Sequence, residues 1–371
     1  MAIPVIIFLL IVYFYVLAIL LCYLEIGKEP DQEAEGAQLP DMSVSILVPF
    51  RNEKDHIGIL AGDLGKQTFP QGQWEVLFVD DHSTDDSARI LAPMLSERAS
   101  FHYYRLPPGI SGKKGAISYG IQHAAHDRII QVDADCRIQP GFISSHVSFL
   151  EKNPSDLVAG LVTTGRGTGD FLETFERMDM LALAGVAAGS FNLGRPLMCS
   201  GANLNYTRQL YQETRPFDPG SSVPSGDDMF LMIGARKLGK TLTFNLHPQS
   251  MVTTFPVKNW KTLIGQRIRW GAKSARYRMP DIQLMALWVS LTNMAVLLLP
   301  VWLFLYTGSW PWLAGACAMK TLSDFMLLFR MTGMTGSRKD LILFVPAILL
   351  YYPYFLITLL GALLGKTAWK D

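Results

Sequence analysis

The stretch "IIQVDADCRIQP", residues 129–140, decides how the central part of the chain folds. Its apolar start predicts a buried strand, after which Asp133 and Asp135 follow with one alanine between them. Residues two apart on an extended chain point to the same side, so both carboxylates can converge on one ion. Two hard oxygen ligands with open positions suit a Mg²⁺ or Mn²⁺ ion that bridges a diphosphate. A solvated acidic turn would show the same pattern.

An alternation of strands and helices surrounds this stretch. The pattern predicts the strands 43–49, 74–80, 101–106 and 128–132 and the helices 53–67, 84–99 and 114–125. This alternation is typical of an α/β fold with a mostly parallel sheet and helices on both faces. Ligands of such sheets bind outside the carboxyl ends of the strands. Asp80 and Asp81 end the second strand, so both acid pairs are predicted to lie at that edge.

The composition limits the classes of protein and partner. Hydrophobic residues make up 49% of the 371 residues, the mean hydropathy is +0.21 and the formal net charge is +1. The near-neutral charge gives no electrostatic argument for a nucleic acid partner. The four cysteines, Cys22, Cys136, Cys199 and Cys317, are widely spaced, which argues against a disulfide framework and against a zinc site.

Four apolar segments are each long enough to cross about 30 Å of hydrocarbon. They are Pro4–Leu24, Leu284–Tyr306, Trp310–Phe329 and Leu341–Leu364. Pro346 and Pro353 leave a bent or re-entrant course open for the last of them. We therefore expect an N-terminal transmembrane anchor over residues 1–25, a linker over 26–41, a globular domain over 42–256, an interfacial amphipathic helix over 257–282 and about three transmembrane helices over 283–371.

Positive charges predict the orientation in the membrane. Many basic residues precede the second span, and Arg330, Arg338 and Lys339 follow the third. These positions share one side, which the positive-inside rule makes cytoplasmic. Lys366 and Lys370 fall on the other side and fit this orientation less well. The expected location is the bacterial inner membrane, in a multi-pass protein with a cytoplasmic domain.

Two other classes of nucleotide-binding protein are disfavoured. No GxGxxG follows the first strand, and "GRGTGD" at 165–170 has the wrong spacing for a dinucleotide fold. "GISGKK" at 109–114 is too short for the phosphate loop of an ATPase and lacks the Ser or Thr after the lysine.

Seven short motifs occur in one order along the chain. They are "VPFRNE" (48–53), "VDDHSTD" (79–85), "GKKGAI" (112–117), "VDADC" (132–136), "SGAN" (200–203), "SGDD" (225–228) and "QRIRW" (266–270). With the apolar cluster that follows, they resemble the inverting glycosyltransferases of family 2. The similarity is greatest to the membrane branch that includes cellulose, chitin and hyaluronan synthases and ceramide glucosyltransferase. This resemblance implies a GT-A nucleotide-diphospho-sugar transferase fold over about residues 42–275, together with transmembrane α-helices.

The resemblance also implies residues that bind a nucleotide-sugar donor. They are Pro49, Glu53, Asp80, Asp81, Lys113, Asp133, Gln266, Arg269 and Trp270. Either Asp80 or Asp81 would hold the base or the ribose, and the match does not distinguish them. Lys113 would meet the diphosphate, and Asp133 and Asp135 would hold Mg²⁺ or Mn²⁺.

In "SGDD", Asp228 matches the catalytic base of the family, and Asp227 stands beside it as a second catalytic candidate. An inverting transfer needs one carboxylate that takes the proton of the acceptor hydroxyl. Acids are also favoured in the first turn of a helix, and residues 227–238 are predicted to be helical. The residues that would border the acceptor are Ser200, Gly201, Asn203 and Trp270.

Two polar features of the apolar half have competing interpretations. The segment around "QRIRW" is amphipathic, so Lys258, Lys261 and Arg267 are predicted to face lipid phosphates while Gln266, Arg269 and Trp270 close the site. Lys320 and Asp324 share a helix face inside the third span. They form either a self-neutralised packing pair or a contact to the acceptor.

These features predict an inverting family 2 hexosyltransferase that moves a sugar from a UDP-linked donor to a lipid, lipid-linked or polysaccharide acceptor. A processive polysaccharide synthase is an alternative, although few spans leave little material for a channel. An inactive membrane scaffold is a second alternative, and the presence of Asp133, Asp135 and Asp228 argues against it. Membrane lipids are expected partners, and an oligomer or a partner subunit is left open.

Overall fold

The computed structural model describes residues 2–27, 42–218, 226–274, 277 and 279–364. Most of the predicted linker 26–41, together with Ser225, Lys366 and Lys370, lies outside these residues. The chain forms two units. We call Lys28–Gly165 with Gly194–Phe255 the sheet unit, and Met1–Gly27, Arg166–Leu193 and Pro256–Asp371 the helical unit.

The described strands all belong to the sheet unit. They are β1 (Val44–Phe50), β2 (Trp74–Asp80), β3 (Phe101–Arg105), β4 (Arg128–Gln131), β5 (Cys136–Arg137), β6 (Leu157–Gly160), β7 (Val162–Thr164), β8 (Leu204–Thr207), β9 (Leu242–Asn245) and β10 (Val252–Thr254). The described helices are α1 (Ile3–Glu25), α2 (Ile57–Leu64), α3 (Ser87–Glu97), α4 (Gly112–His123), α5 (Phe142–Lys152), α6 (Phe171–Asn192), α7 (Arg208–Thr214), α8 (Asp227–Lys237), α9 (Trp260–Ser274), α10 (Pro280–Leu297), α11 (Leu299–Leu305), α12 (Trp310–Met334) and α13 (Phe344–Leu364).

Among the described residues, seven strands form the main sheet in the order β3-β2-β1-β4-β8-β6-β9. β1 pairs in parallel with β2 and β4, and β8 runs antiparallel to both of its neighbours. β1 and β2 are buried along their whole length, as expected for strands covered on both faces. The predicted α/β fold with a mostly parallel sheet is therefore confirmed. β1 is the point where the strand order reverses, which is where ligands bind in such sheets.

The helices of the sheet unit begin later than the pattern predicts. The helix predicted from residue 53 begins at Ile57, and the helix predicted from residue 84 begins at Ser87. The backbone N–H of Asn52 donates to Ser83 Oγ at 3.0 Å, and that of Glu53 donates to Ser87 Oγ at 2.9 Å. Side chains of one loop thus bind the backbone of the other, and this competes with helix formation.

The helical unit departs from the uninterrupted domain expected over residues 42–256, because α6 packs on α1 and α12. The carboxylate of Asp170 caps α6 by accepting from the backbone N–H of Glu173 at 2.9 Å. A Cβ on Gly189 of α6 would lie 2.4 Å from the backbone oxygen of Cys22 in α1. Glycine at this position therefore permits the two helices to pack closely.

In the described residues, three helices are long and apolar enough to cross a membrane, or four spans if a bent pair counts as one. The bent pair is α10 and α11, with 59° between them. Pro300 lies in the first turn of α11, where its missing N–H and its ring end the preceding helix at Leu297. The bend that Pro346 and Pro353 left open for the last segment is absent from the described residues, since α13 is one helix that includes Pro353.

Candidate active site

The carboxyl ends of three neighbouring strands meet at one edge of the main sheet. Phe50 of β1 is in register with Asp80 of β2, and Leu47 of β1 is in register with Gln131 of β4. The residues that follow each strand therefore lie side by side, as the alternation of strands and helices predicts. Both acid pairs emerge from this edge.

Asp80 and Asp81 have different surroundings. Asp80 is fully buried, and its carboxylate accepts from the backbone N–H of Ser83 at 2.7 Å and from the Tyr103 hydroxyl at 2.8 Å. Oδ2 of Asp81 accepts from the backbone N–H of Gly112 at 2.9 Å, whereas its buried Oδ1 has no hydrogen-bond partner among the described residues. An unpaired buried acceptor is costly, so Asp81 is the one placed to accept from a ligand.

Pro49 and Glu53 are placed by the first strand and the loop after it. Pro49 is buried in β1 in register with Val79, so it contributes to the sheet and does not line an open surface. The Glu53 carboxylate lies 2.9 Å from Nδ1 of His56, and this ring stacks on Phe255 at 4.5 Å. Glu53 keeps a partly exposed side chain at the edge of the sheet.

Lys113 and Asp133 form an ion pair at this edge. Nζ of Lys113, in the first turn of α4, donates to Oδ1 of Asp133 at 2.6 Å. Burial alone lowers the pKa of Lys113, but Asp133, Asp227 and Asp228 outweigh this effect and raise it. The lysine therefore remains charged and lies among carboxylates of two separate motifs.

Asp133 and Asp135 are the carboxylates that we expect to share a divalent cation with a ligand. Burial raises the pKa of Asp133, Lys113 opposes the increase, and the neighbouring Asp135 adds to it. A cation would relieve this repulsion between two hard oxygen donors. Among the described residues, no group of three or more His, Cys, Asp or Glu side chains is placed to hold a metal ion.

Asp228 is held at the start of α8. Its Oδ2 accepts from the backbone N–H of Gly201 at 3.0 Å, and its Oδ1 accepts from that of Met229 at 2.8 Å. Burial and the neighbouring Asp227 raise the pKa of Asp228 to about 6. Gly226 precedes the helix with φ of 89°, a conformation that strongly favours glycine.

Gln131 links Asp227, the neighbour of Asp228, to the main sheet. This residue was not identified from the sequence. Its Nε2 donates to Gly201 O at 2.9 Å and to Asp227 Oδ2 at 3.2 Å, and its Oε1 accepts from the Tyr206 hydroxyl at 2.9 Å. A buried amide in this position fixes "SGAN" and "SGDD" relative to β4. The available signal was a polar residue between the apolar neighbours Ile130 and Val132.

The predicted acceptor residues of "SGAN" separate in the structure. Gly201 lies against Asp227 and Asp228, and the neighbouring Ser200 is partly exposed. Asn203 is wholly buried, and its amide bonds to Leu161 O, Ser250 O and the His146 ring. The expectation that Asn203 borders the acceptor is therefore wrong, because each end of its amide already has partners inside the sheet unit.

"QRIRW" lies on α9 in the helical unit. Arg269 is partly buried, which lowers its pKa, and Trp270 is 39% exposed. Arg267, which was expected to face lipid phosphates, is instead buried in an ion pair with Asp179 of α6 at 2.7 Å. Charge neutralisation inside the helical unit explains this difference. Arg276 and Arg278, two further basic residues that were expected to face lipid phosphates, lie outside the described residues.

Lys320 and Asp324 form the packing pair that was one of the two interpretations. Nζ of Lys320 donates to Asp324 at 2.8 Å, and the lysine is 1% exposed. The Tyr15 hydroxyl donates to the other oxygen of Asp324 at 2.9 Å. These partners neutralise the pair within the helical unit.

The similarities to known proteins assign the fold to the GT-A class of nucleotide-diphospho-sugar transferases. The chain is similar in structure to a mannosyltransferase of Pyrobaculum calidifontis in complex with GDP-Man and Mn²⁺. The TM-score is 0.60 at 16% identity, over 98% of this chain and 99% of that one, so the likeness shows the fold alone. Residues 45–214 match the model of glycosyl transferase family 2, so this part of the chain is a domain of that family.

Two relatives illustrate how far the sequence similarity extends. An undecaprenyl-phosphate 4-deoxy-4-formamido-L-arabinose transferase of Klebsiella pneumoniae is 31% identical over 140 residues, which cover 38% of this chain and 42% of the relative. Glycosyltransferase AglE of Haloferax volcanii is 23% identical over 256 residues, which cover 66% and 79%. Three of the first relatives are matched over only 32%, 42% and 47% of their length.

Proposed function

We propose that the chain is an inverting glycosyltransferase that moves a sugar from a nucleotide-sugar to a lipid-linked acceptor at a membrane. The observation that carries this proposal is Asp228, a carboxylate fixed by the backbone of Gly201 in a family 2 domain. Its pKa of about 6 lies near neutral pH, which suits a general base.

In this proposal Asp228 takes the proton of the acceptor hydroxyl as that oxygen attacks the anomeric carbon. The new C–O bond forms on the face opposite the nucleotide diphosphate, and the bond from the anomeric carbon to the diphosphate oxygen breaks. Asp227 would shape this site together with Gln131. Lys113 would bind the departing diphosphate through its charge.

A divalent cation, held by Asp133 and Asp135, would supply charge stabilisation for the diphosphate when it is bound. Burial and, to a smaller extent, the nearby Asp135 raise the pKa of Asp133, and a cation would offset the cost of two carboxylates held close together. The structural neighbour from Pyrobaculum calidifontis carries Mn²⁺ with its sugar nucleotide. Both Mg²⁺ and Mn²⁺ therefore belong in the first assays.

The free oxygen of Asp81 supports a donor whose base presents a ring N–H. Uracil and guanine present one, so UDP-sugars are the first donors to test and GDP-sugars are the next. Glu53 would contact the ribose side of the same nucleotide. Pro49 and Asp80 would support this region from inside the sheet instead of touching the donor.

A lipid-linked acceptor is supported by the apolar helices of the helical unit and by the relative that acts on undecaprenyl phosphate, as its name states. We propose a cytoplasmic sheet unit at the inner membrane of a bacterium. Ser200 and Gly201 would border the acceptor, and Gln266, Arg269 and Trp270 of α9 would complete donor and acceptor binding.

Product analysis tests the proposal. Purified membranes that contain the chain or its Asp228→Asn variant receive radiolabelled UDP-glucose, UDP-GlcNAc, UDP-galactose or GDP-mannose with Mg²⁺ or Mn²⁺. We expect label in the organic extract from the unchanged chain and none from Asp228→Asn. Label in a large polymer that glycosidases degrade would replace the proposal with a polysaccharide synthase. Absence of Asp228-dependent label with every donor would favour an inactive scaffold.

A further inference from the structure

We propose that Asp179 is a positioning residue that fixes Gln266 and Trp270 by holding the guanidinium of Arg267. The inference rests on the proposed function, in which Gln266 and Trp270 contribute to substrate binding. Its structural part concerns α6 and α9 of the helical unit alone.

The guanidinium of Arg267 has three partners. Its Nε donates to Oδ2 of Asp179 at 2.7 Å, and its Nη1 donates to Oε1 of Gln266 at 2.5 Å. Its carbon Cζ lies 4.3 Å from the centre of the Trp270 ring. One planar cation thus contacts two of the three residues of the Gln-x-x-Arg-Trp motif, and a carboxylate on another helix holds it.

Burial makes the position of the Arg267 guanidinium depend strongly on its charged partner. The side chains of Arg267 and Asp179 are 7% and 9% exposed. Removal of the carboxylate would leave the buried guanidinium with only the weaker attraction of Glu176, so we expect the guanidinium to rotate or to leave its site. Gln266 would then lose a donor, and Trp270 would lose the cation over its ring. Lysine cannot replace arginine here, because a single ammonium group lacks the planar fork that reaches several partners.

A second ion pair of α6 provides a matched control. Nε of Arg177 donates to Oδ2 of Asp340 at 2.5 Å, and these side chains are 4% and 9% exposed. The pair has the same chemistry and similar burial, and it joins α6 to the segment before α13 instead of to α9. Arg177 also donates to Glu173 at 3.1 Å, and Arg267 likewise has Glu176 as a second nearby acid. Asp340→Asn therefore reports the cost of removing one of two carboxylates from a buried arginine in the helical unit.

Fluorine NMR measures the position of Trp270 without any assay of activity. The full chain is labelled with fluorotryptophan in detergent, and Trp270→Phe identifies one resonance among the eight tryptophans. We expect Asp179→Asn and Arg267→Lys to shift or broaden this resonance, Asp179→Glu to restore it in part, and Asp340→Asn to leave it in place. An unmoved resonance in Asp179→Asn and Arg267→Lys, or an equal displacement in Asp340→Asn, would overturn the proposal.

Kinetics on the same preparations connect the position to function. We expect Asp179→Asn to lower kcat/KM for the donor by about 100-fold, the loss that a small displacement of substrate-positioning groups produces. Asp340→Asn should keep the kinetic constants of the unchanged chain. A displaced resonance with unchanged kinetics would refute the functional half of the inference. If even the unchanged chain transfers no sugar, the proposed function fails, and the NMR result alone decides whether Asp179 positions Trp270.

Discussion

Asp228 is the residue whose ionisation most directly limits the proposed reaction. Burial and Asp227 raise its pKa to about 6, and a general base acts only in its deprotonated form. We therefore expect kcat/KM to be constant above about pH 6 and to fall about tenfold for each pH unit below it. Initial rates of transfer at saturating metal and limiting donor, measured across this range, give the profile.

Asp227→Asn provides the matched comparison for this profile. Loss of the neighbouring charge removes one cause of the raised pKa, so the acidic limb should move to lower pH while transfer persists. An acidic limb that stays in the same place after this substitution would contradict the assignment of the titration to Asp228.

Adjacent aspartates at the end of β2 have opposite expected effects. Asp81→Asn should raise the KM for the donor by about 10- to 100-fold, because it weakens a charged hydrogen bond to the base. Asp80→Asn should instead lower the stability of the sheet unit by about 1–3 kcal/mol, since it disturbs the bonds to Ser83 and Tyr103. Donor titrations and thermal unfolding separate the two outcomes. A reversed pattern would show that Asp80 contacts the ligand.

Neighbouring residues in one motif can thus differ in a way that the sequence does not disclose. The motif order located Asp133, Asp228 and the sheet edge, because strand periodicity determines which residues follow each strand. It did not reveal that the polar side-chain atoms of Asp80 and Asn203 form hydrogen bonds inside the sheet unit. Those bonds join positions far apart in the chain, and local spacing carries no information about them.

At the scale of helices, the contact between α1 and α6 depends on Gly189, because this residue has no side chain. A Cβ on Gly189 would approach the backbone of Cys22 to 2.4 Å, and backbone cannot move aside as a flexible side chain can. We expect Gly189→Ala to destabilise the helical unit by about 1–3 kcal/mol, the usual effect of overpacking. Thermal unfolding in detergent measures it.

Gly315 of α12 is a suitable control, because a Cβ there meets nothing within 4 Å among the described residues. Gly315→Ala should be neutral or slightly stabilising, since alanine favours the helix over glycine. Equal losses for both substitutions would refute the close contact between α1 and α6.

Strands were predicted more accurately than helix ends and bends. The strand predicted over 74–80 matches β2 residue for residue, since apolar runs determine buried strands. Helix starts were misplaced because side chains of partner loops capture the backbone near Asn52 and Glu53. The sequence left a bend open at Pro346 and Pro353. The structure instead bends at Leu298, between α10 and α11, where a proline follows within the next turn.

For the whole molecule, the direction of the bent pair decides the membrane topology. If α10 and α11 form one span, the turn at Gly308 and the start of α10 lie on opposite sides of the membrane. We expect Gly308→Cys, in a background with the native cysteines replaced by alanine, to react with an impermeant maleimide in intact cells. Glu97→Cys, on an exposed position of the sheet unit, should react only after permeabilisation.

Labelling of Glu97→Cys alone in intact cells would reverse the proposed orientation. Labelling at both positions would reverse it and show in addition that the bent pair is re-entrant. Labelling at neither position before permeabilisation would show that the bent pair is re-entrant and returns to the side it left. The charges in the last turns of α12 and just after it favour the spanning arrangement, because Arg330, Arg338 and Lys339 then share the cytoplasmic side.

The helical unit is assembled from three stretches of chain that the sheet unit interrupts, and this sets an order during translation. The sheet unit has all of its residues once Phe255 has left the ribosome. α1 emerges long before α12, yet the guanidinium that binds the carbonyls of Tyr23 and Gly27 at the end of α1 belongs to Arg330 of α12. These two hydrogen bonds can therefore form only after most of α12 has been synthesised. A ribosome that stalls soon after Phe255 would therefore carry a chain with every residue of the sheet unit but only part of the helical unit.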